Sequence, residues 1–262
     1  MEQIENKNVH LCGLNIFGGG YKEWLCEIDR RMRGGRQTAV YTPGAVMLEN
    51  AMRDPCFHAV LSRGDMHLPD GMGVVLAARL LGQHIEGRLS GIDAAKGVLA
   101  LAARRGWRVF LFGGQKGVAK RAAARLREKY PTLVICGTCH GYLDGEGQER
   151  LLRGIEKTRA DVVLVCLGSP RQEIWIDRNR ARLGAVRLFM GLGGTLDVFS
   201  GDVRRAPEWM GKMGFEWLWR MVGQPKRFRD VPKLTVFSGR MLAAAMKNLS
   251  KCTDEWGQAK PF

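Results

Sequence analysis

The stretch DVVLVCLGSPRQEIWIDRNRARLGAVRLFMGLGGTLDVFSGDVRRAPEW, residues 161–209, decides the fold. It opens on an apolar, β-branched run at 162–167, bounded by a Gly-Ser-Pro turn, which suits a strand buried on both faces. Pro170 and the following Arg171-Gln172-Glu173 start a helix, with proline in its tolerated first turn. A second apolar run at 186–190 empties into Gly191-Leu192-Gly193-Gly194. Two successive strands thus end in glycine turns followed by polar side chains. In an open parallel sheet both turns face one crevice at the carboxyl ends of the strands, where ligands bind. Without a Cβ their backbone amides can come close to a phosphate. The pattern asks for an anionic ligand.

Outward from this stretch the chain alternates regularly. A short apolar segment from residue 11 leads through Gly18-Gly19-Gly20 into a polar-faced helix at 21–32. A strand at 38–41 ends in Thr42-Pro43-Gly44, and Val46, Met47, Leu48 and Met52 follow at helical spacing. Residues 57–61 read as another strand, and Leu68-Pro69-Asp70-Gly71-Met72-Gly73 as a loop into a helix at 74–81. Arg88-Leu89-Ser90-Gly91-Ile92-Asp93 precedes a helix that ends near Arg105. Strands at 107–112 and 133–136 alternate with helices at 118–130 and 146–158. This alternation predicts an α/β fold, Rossmann-like, with a mainly parallel sheet sandwiched by helices.

The chain has 262 residues, enough for one α/β domain with a sizeable core. Its formal charge of +15 favours phosphorylated ligands, anionic lipid or nucleic acid. The polar start MEQIENKNVH is not a signal peptide, and no apolar run reaches the roughly 20 residues of a membrane span. A cytoplasmic protein, peripheral on the inner membrane face, is the expectation. Seven scattered cysteines, an odd number, fit reduced thiols better than a disulfide framework. Cys136-Gly137-Thr138-Cys139-His140 spells a haem-attachment pattern, but no second Cys/His pair completes a zinc site. These thiols read as a strand end and loop. His67, three residues before Asp70, reads as an exposed loop histidine.

Composition shifts after Asp202. From residue 203 to 251 there are eleven Lys/Arg against three Asp/Glu, with Trp209, Trp217 and Trp219 interleaved. Tryptophan beside arginine on amphipathic helices suits a membrane interface, and equally a helix pair packed on the core with a basic solvated face. The chain therefore divides into a core at 1–202, a basic appendage at 203–248 and a polar, loose tail at 249–262.

The motifs Gly168-Ser169-Pro170-Arg171-Gln172-Glu173, Gly191-Leu192-Gly193-Gly194-Thr195-Leu196-Asp197 and Arg204-Arg205-Ala206-Pro207-Glu208-Trp209 resemble the WecG/TagA/CpsF family of bacterial glycosyltransferases. So do Phe215-Glu216-Trp217-Leu218-Trp219-Arg220 and Gln224-Pro225-Lys226-Arg227. The resemblance implies transfer of an N-acetylmannosamine-type sugar, ManNAc or its uronic acid, from UDP. The implied acceptor is N-acetylglucosamine on undecaprenyl diphosphate, in cell-envelope polysaccharide or teichoic acid synthesis. Inversion fits one candidate base with no carboxylate nucleophile.

Such an enzyme must deprotonate an acceptor hydroxyl and neutralise a leaving diphosphate. No Asp-x-Asp occurs, so neither a metal nor another cofactor is expected, and arginines are candidates to neutralise the phosphates. These are Arg88, Arg220, Arg227 and Arg229. The last three resemble arginines of the family's appendage, which closes over the active site at the membrane. Asp70 is the candidate base, since a carboxylate in a loop after a strand reaches the mouth of the sheet. Pro-Asp-Gly is also ordinary turn chemistry. The resemblance places the family's base at Asp70 and a threonine that holds the acceptor sugar at Thr42. Gln172 falls in the most recognisable motif, at the nucleotide or sugar, while Arg171 and Glu173 also read as helix-start charges set by the local dipole. Asp197 resembles the acidic residue near the uridine and equally reads as a helix N-cap. Gly113-Gly114 reads as a further close-approach turn, alongside Gly193-Gly194. Many members carry asparagine where this chain has Gly44, which removes one side-chain contact to donor or acceptor.

Two rivals stand beside this reading. A nucleotide-cofactor oxidoreductase would use the same glycine turns, but the Gly-x-Gly-x-x-Gly of that fold is missing. A nucleic-acid-binding module would account for the charge. The expected partners are a UDP-sugar, a lipid-linked acceptor and a membrane surface, with a homo-oligomer also open.

Overall fold

The structure, a computed structural model, describes residues 7–207, 210, 219 and 225–257, with the side chains of 225–227 and 248–257 outside that description. Among the described residues eight strands form one sheet: β1 (Asn8–Leu11), β2 (Leu14–Phe17), β3 (Thr38–Tyr41), β4 (Met66–His67), β5 (Arg108–Gly113), β6 (Val134–Cys139), β7 (Val162–Cys166) and β8 (Leu188–Gly191). Their spatial order is β1-β2-β4-β3-β8-β7-β5-β6. Every pairing is parallel except the β1–β2 hairpin. The central strands β3, β7 and β8 are buried along their whole length, as near-continuous apolar runs covered on both faces should be.

Among the described residues ten helices with defined bounds connect and cover them: α1 (Tyr21–Arg33), α2 (Ala45–Arg53), α3 (Pro55–Ser62), α4 (Met72–Leu80), α5 (Gly91–Arg105), α6 (Val118–Lys129), α7 (Gly145–Lys157), α8 (Arg171–Asn179), α9 (Thr195–Phe199) and α10 (Val231–Gly257). A 3-10 turn, Pro225–Asp230, leads into α10, which reaches past Asn248. Trp24 and Ile28 of α1, Ala95 and Val98 of α5, Leu126 of α6 and Leu196 of α9 share one core layer. Leu48 of α2, Leu61 of α3, Val74 of α4, Ile155 of α7, Trp175 of α8 and Phe237 of α10 share the other. Each such Val, Leu, Ile or Phe side chain, fully buried, contributes about 1.5–3 kcal/mol by leaving water. The doubly covered α/β sandwich is the architecture that the alternation predicts.

Local chemistry fixes the helix starts. Asp54 caps α3 by accepting from the Cys56 and Phe57 amides at 2.9 and 3.1 Å, with Pro55 in the first turn. This corrects one expectation: residues 57–61 are helix, with Phe57 and Leu61 on one buried face, and the strand comes later as the two-residue β4. Ser90 caps α5 in the same way, accepting from the Asp93 amide at 3.2 Å. His67 is a second correction. It is buried on β4, with Nε2 2.7 Å from the Leu61 carbonyl and Nδ1 3.1 Å from that of Asn15. Burial holds its imidazole below the usual range, against the pull of both carbonyls. Cys136 and Cys139 both lie on the edge strand β6. Among the described residues no group of three His, Cys, Asp or Glu is placed to hold a metal ion.

The C-terminal helix packs across α2 and α4. Phe237, Met241 and Ala245 are its buried stripe, and Arg240 Nε lies 3.5 Å from the fully buried Glu49. None of the described helices is long and apolar enough to cross a membrane.

Candidate active site at the carboxyl edge of the sheet

The chain leaves β3 for α2 on one face and leaves the adjacent β8 for α9 on the other. Divergence of neighbouring connections opens a crevice at the carboxyl ends of such strands. Loops after β3, β4, β5, β7 and β8 meet there, and their contacts run continuously through the residues that the sequence singles out.

Thr42, at the end of β3, is buried and its Oγ1 donates to the Gly191 carbonyl at 3.1 Å. Gly191 is flanked by Gln172, whose Nε2 would lie 3.2 Å from a Cβ placed there. Gln172 is buried on the first turn of α8, and its Oε1 accepts from the Gly193 amide at 2.7 Å. Its Nε2 donates to Glu173 Oε1 at 2.7 Å. The loop of Asp70 is stitched to the same edge. Asp70 N–H donates to the Pro43 carbonyl at 3.1 Å, and Leu89 N–H, beside Arg88, donates to the Pro69 carbonyl at 3.0 Å. Position 44 explains itself here. A Cβ on Gly44 would sit 2.8 Å from the Asp70 carbonyl oxygen, so a side chain there would push this loop outward.

Asp197 stands on the first turn of α9, 3.2 Å through Oδ2 from where a Gly194 Cβ would lie. Burial raises its carboxyl above the usual range, and Asp202 adds to the effect. It is half-buried beside Cys166, whose thiol burial pushes up to about 12 against the pull of the Leu196 and Thr195 amides. The Cys166 carbonyl in turn accepts from Gly114 N–H at 3.1 Å, and a Cβ on Gly113 would meet it at 2.1 Å. The close approach at Gly113-Gly114 is therefore between two strands of the protein. The Gly114 and Gly193 amides already have protein acceptors.

Structure thus links Asp70, Thr42, Gly113, Gly114, Gln172, Gly193, Gly194 and Asp197 through contacts along one edge, and Arg88 directly precedes Leu89, whose N–H donates to the Pro69 carbonyl. Arg229 lies exposed on the 3-10 turn before α10. Arg220 and the side chain of Arg227 lie outside the described residues. A cleft of about 510 Å³ opens elsewhere, among Asn15, Glu27, Arg31, Arg36, Asp65 and His67. Arg36 and Asp65 precede β3 and β4, so this cleft belongs to the amino-terminal edge and holds none of the predicted residues.

Two groups escape sequence reasoning. Arg205 grips Asp93 through Nη1 and Nη2 at 2.7 and 2.6 Å, and Ser90 Oγ donates to Asp93 Oδ2 at 2.7 Å. Burial alone would raise the Asp93 carboxyl, but Arg205 and Ser90 outweigh it and hold it below the usual range. This clamp ties the segment after α9 to the start of α5, whose Gly91 faces Thr42 Oγ1 and Leu192. The only local signal is Ser90-Gly91-Ile92-Asp93, a capping pattern; its partner is 112 residues away. Trp219 continues the tie by donating from Nε1 to the Arg204 carbonyl at 3.2 Å. Glu173 is the second, a fully buried carboxylate rather than a surface helix-start charge.

Comparison with known proteins fits this geometry. The profile of the glycosyl transferase WecG/TagA/CpsF family matches residues 9–251. A protein of Bacillus subtilis (strain 168) named N-acetylglucosaminyldiphosphoundecaprenol N-acetyl-beta-D-mannosaminyltransferase is 38% identical over 188 residues, 70% of this chain and 72% of its own. Its namesake in Bacillus spizizenii (strain ATCC 23059 / NRRL B-14472 / W23) is 37% identical over 186 residues, 70% and 71% of the two chains. With the profile covering nearly the whole sequence and both relatives aligned over most of their length, the chain belongs to the WecG/TagA/CpsF family of glycosyl transferases.

Proposed function

We propose that this enzyme moves an N-acetylmannosamine-type sugar from UDP to N-acetylglucosamine carried on undecaprenyl diphosphate, with inversion, at the cytoplasmic face of the membrane. The observation that carries the reading is the joining of Thr42, Gly191 and Gln172 beside the Asp70 loop, in a chain whose relatives are named for this transfer. Asp70 takes the proton of the acceptor hydroxyl as that oxygen bonds to the anomeric carbon. The bond from that carbon to the β-phosphate oxygen breaks on the opposite face, and UDP departs with its electrons. Thr42 holds the acceptor, and Asp197 receives ribose or base hydrogen bonds. Arg88, Arg220, Arg227 and Arg229 neutralise the diphosphate.

The basic stretch 203–248 serves as the substrate and membrane appendage. Support comes from α10, which is seated on α2 and α4. Those helices begin just after Pro43-Gly44 and Asp70-Gly71, so the stretch is anchored to elements that start at the site. Leu76 and Leu80 on α4, Phe228, and Leu242 and Met246 on α10 are exposed, as suits contact with a lipid interface.

Thermal melting with nucleotides tests the reading. UDP at a hundredfold excess over its Kd adds about 2.7 kcal/mol, a rise of about 5 °C or more, while NAD changes nothing. A rise with NAD alone would replace the proposal with an oxidoreductase. Flotation on anionic vesicles is the second readout, and salt-steep binding to plain duplex DNA without vesicle binding would point to a nucleic-acid module.

A further inference from the structure

Glu173 is 0% exposed, yet it lies one residue from Gln172 and no cation pairs with it among the described residues. Its Oε1 accepts from Gln172 Nε2 at 2.7 Å, while Oε2 has no hydrogen-bond partner among the described residues. Such a group costs stability, since a buried polar atom without a partner forfeits the hydrogen bonds it makes in water. An apolar side chain of similar size would avoid that cost. What the carboxylate supplies is an acceptor in a fixed place.

That acceptor and the Gly193 N–H, one on each side, together decide which way the Gln172 amide points. A primary amide presents a carbonyl on one side and an NH2 on the other, and the two ends exchange by a half-turn of the terminal group. Glu173 Oε1 accepts whether the group is ionised or carries its proton on Oε2. The Gln172 NH2 must therefore face Glu173, and its Oε1 must face Gly193 N–H, 2.7 Å away. From Gly193 the connection continues through the turn to Gly191, whose carbonyl accepts from Thr42. Tyr41, the residue before Thr42, donates from its hydroxyl to the Glu173 backbone carbonyl at 3.4 Å. Strand β3, helix α8 and the turn after β8 thus meet at Gln172 and Glu173, β3 through the Glu173 main chain and the turn through the Gln172 amide.

We infer that Glu173 is a positioning residue for sugar transfer: it fixes the flip of the Gln172 amide, and through it the Gly191–Gly194 turn that floors the donor pocket. The link to transfer rests on the function proposed above, whereas the link from Glu173 to Gly193 does not. Burial raises the Glu173 carboxyl despite the Gln172 hydrogen bond, which fits a group kept for its acceptor oxygen rather than for its charge.

The first measurement is amide hydrogen exchange at Gly193, which needs no substrate. In Glu173→Leu the Gln172 amide loses its fixed partner, and Gly193 exchange rises at least about tenfold; in Glu173→Gln, which keeps the acceptor oxygen, it stays within about threefold of the parent. Unchanged exchange in Glu173→Leu overturns the inference. The second is a double-mutant cycle on UDP affinity and turnover. Glu173→Leu weakens UDP binding and transfer about tenfold or more in the parent, but less than about twofold in a Gln172→Ala background. Equal losses in both backgrounds mean general destabilisation and also overturn it. Should Glu173→Leu not fold, Glu173→Gln and Glu173→Asp decide, since the shorter acid withdraws from Gln172. Retained exchange protection in the amide variant with loss in the aspartate supports the inference, and any other pattern overturns it. A parent enzyme with normal Gly193 protection and no transfer would count against the proposed function alone.

Discussion

Thr42 Oγ1 donates to the Gly191 carbonyl across 3.1 Å, joining the loop after β3 to the turn after β8 where their connections part to opposite faces of the sheet. Thr42→Val keeps the branched shape and removes the donor. The lost bond costs about 1 kcal/mol, a fall in Tm of about 2–4 °C, whereas turnover falls about tenfold because both loops line the crevice. Melting and initial-rate assays on the same preparation check this; equal turnover would mean that the bond is only structural.

Asp70 sits in a loop held at its backbone by Pro43 and crowded at its carbonyl by the position of Gly44. Asp70→Asn preserves that loop and removes the proton acceptor. Turnover should drop about 10²- to 10⁴-fold, with UDP affinity within about threefold of the parent. Full turnover in the variant would take the base assignment away from Asp70.

The Arg205–Asp93 clamp gives a pH signature. The Asp93 carboxyl is held below its ordinary range in the folded protein, so it adds stability above the unfolded pKa and loses it as pH falls through the folded one. Arg205→Met should lower Tm at neutral pH, by a margin that narrows as pH drops below about 4. A margin that stays constant across that range would show that packing, not charge, makes the contact.

Much of this was legible beforehand, and the misses have physical causes. Strand β3 and its Thr42-Pro43-Gly44 ending were readable because an apolar run and its punctuation coincide. Residues 57–61 were not, since a five-residue apolar run has no period of its own. Asp54-Pro55 was the capping signal that separates helix from strand there. Strand β4 is too short to show any pattern, so the sequence alone points to a loop for His67, whereas it packs inside the sheet. Thr42, Asp70, Gln172, Gly193 and Asp197, named by motif, lie on loops and helix starts along one edge, whereas Arg229 lies on the 3-10 turn and Arg220 and the Arg227 side chain lie outside the described residues. Their non-local ties did not show, because Gln172 to Gly193 and Asp93 to Arg205 join segments 21 and 112 residues apart.

Gly113 combines φ +133° with a Cβ direction that ends 2.1 Å from the Cys166 carbonyl oxygen. The neighbour is backbone in a central strand and cannot swing aside. Gly113→Ala should destabilise by at least about 2 kcal/mol, read as a loss in denaturant midpoint without a change in slope. A variant as stable as the parent would show that β5 and β7 do not meet this closely.

Mass spectrometry of the lipid product, after incubation with a panel of UDP-sugars and N-acetylglucosaminyl-diphosphoundecaprenol, tests the central claim most directly. The account predicts that the acceptor gains one N-acetylhexosamine mass with UDP-N-acetylmannosamine, or one uronic acid derivative with its oxidised form. The gain should vanish in Asp70→Asn. An acceptor unchanged by every UDP-sugar, with a folded enzyme and intact lipid in the reaction, would contradict it.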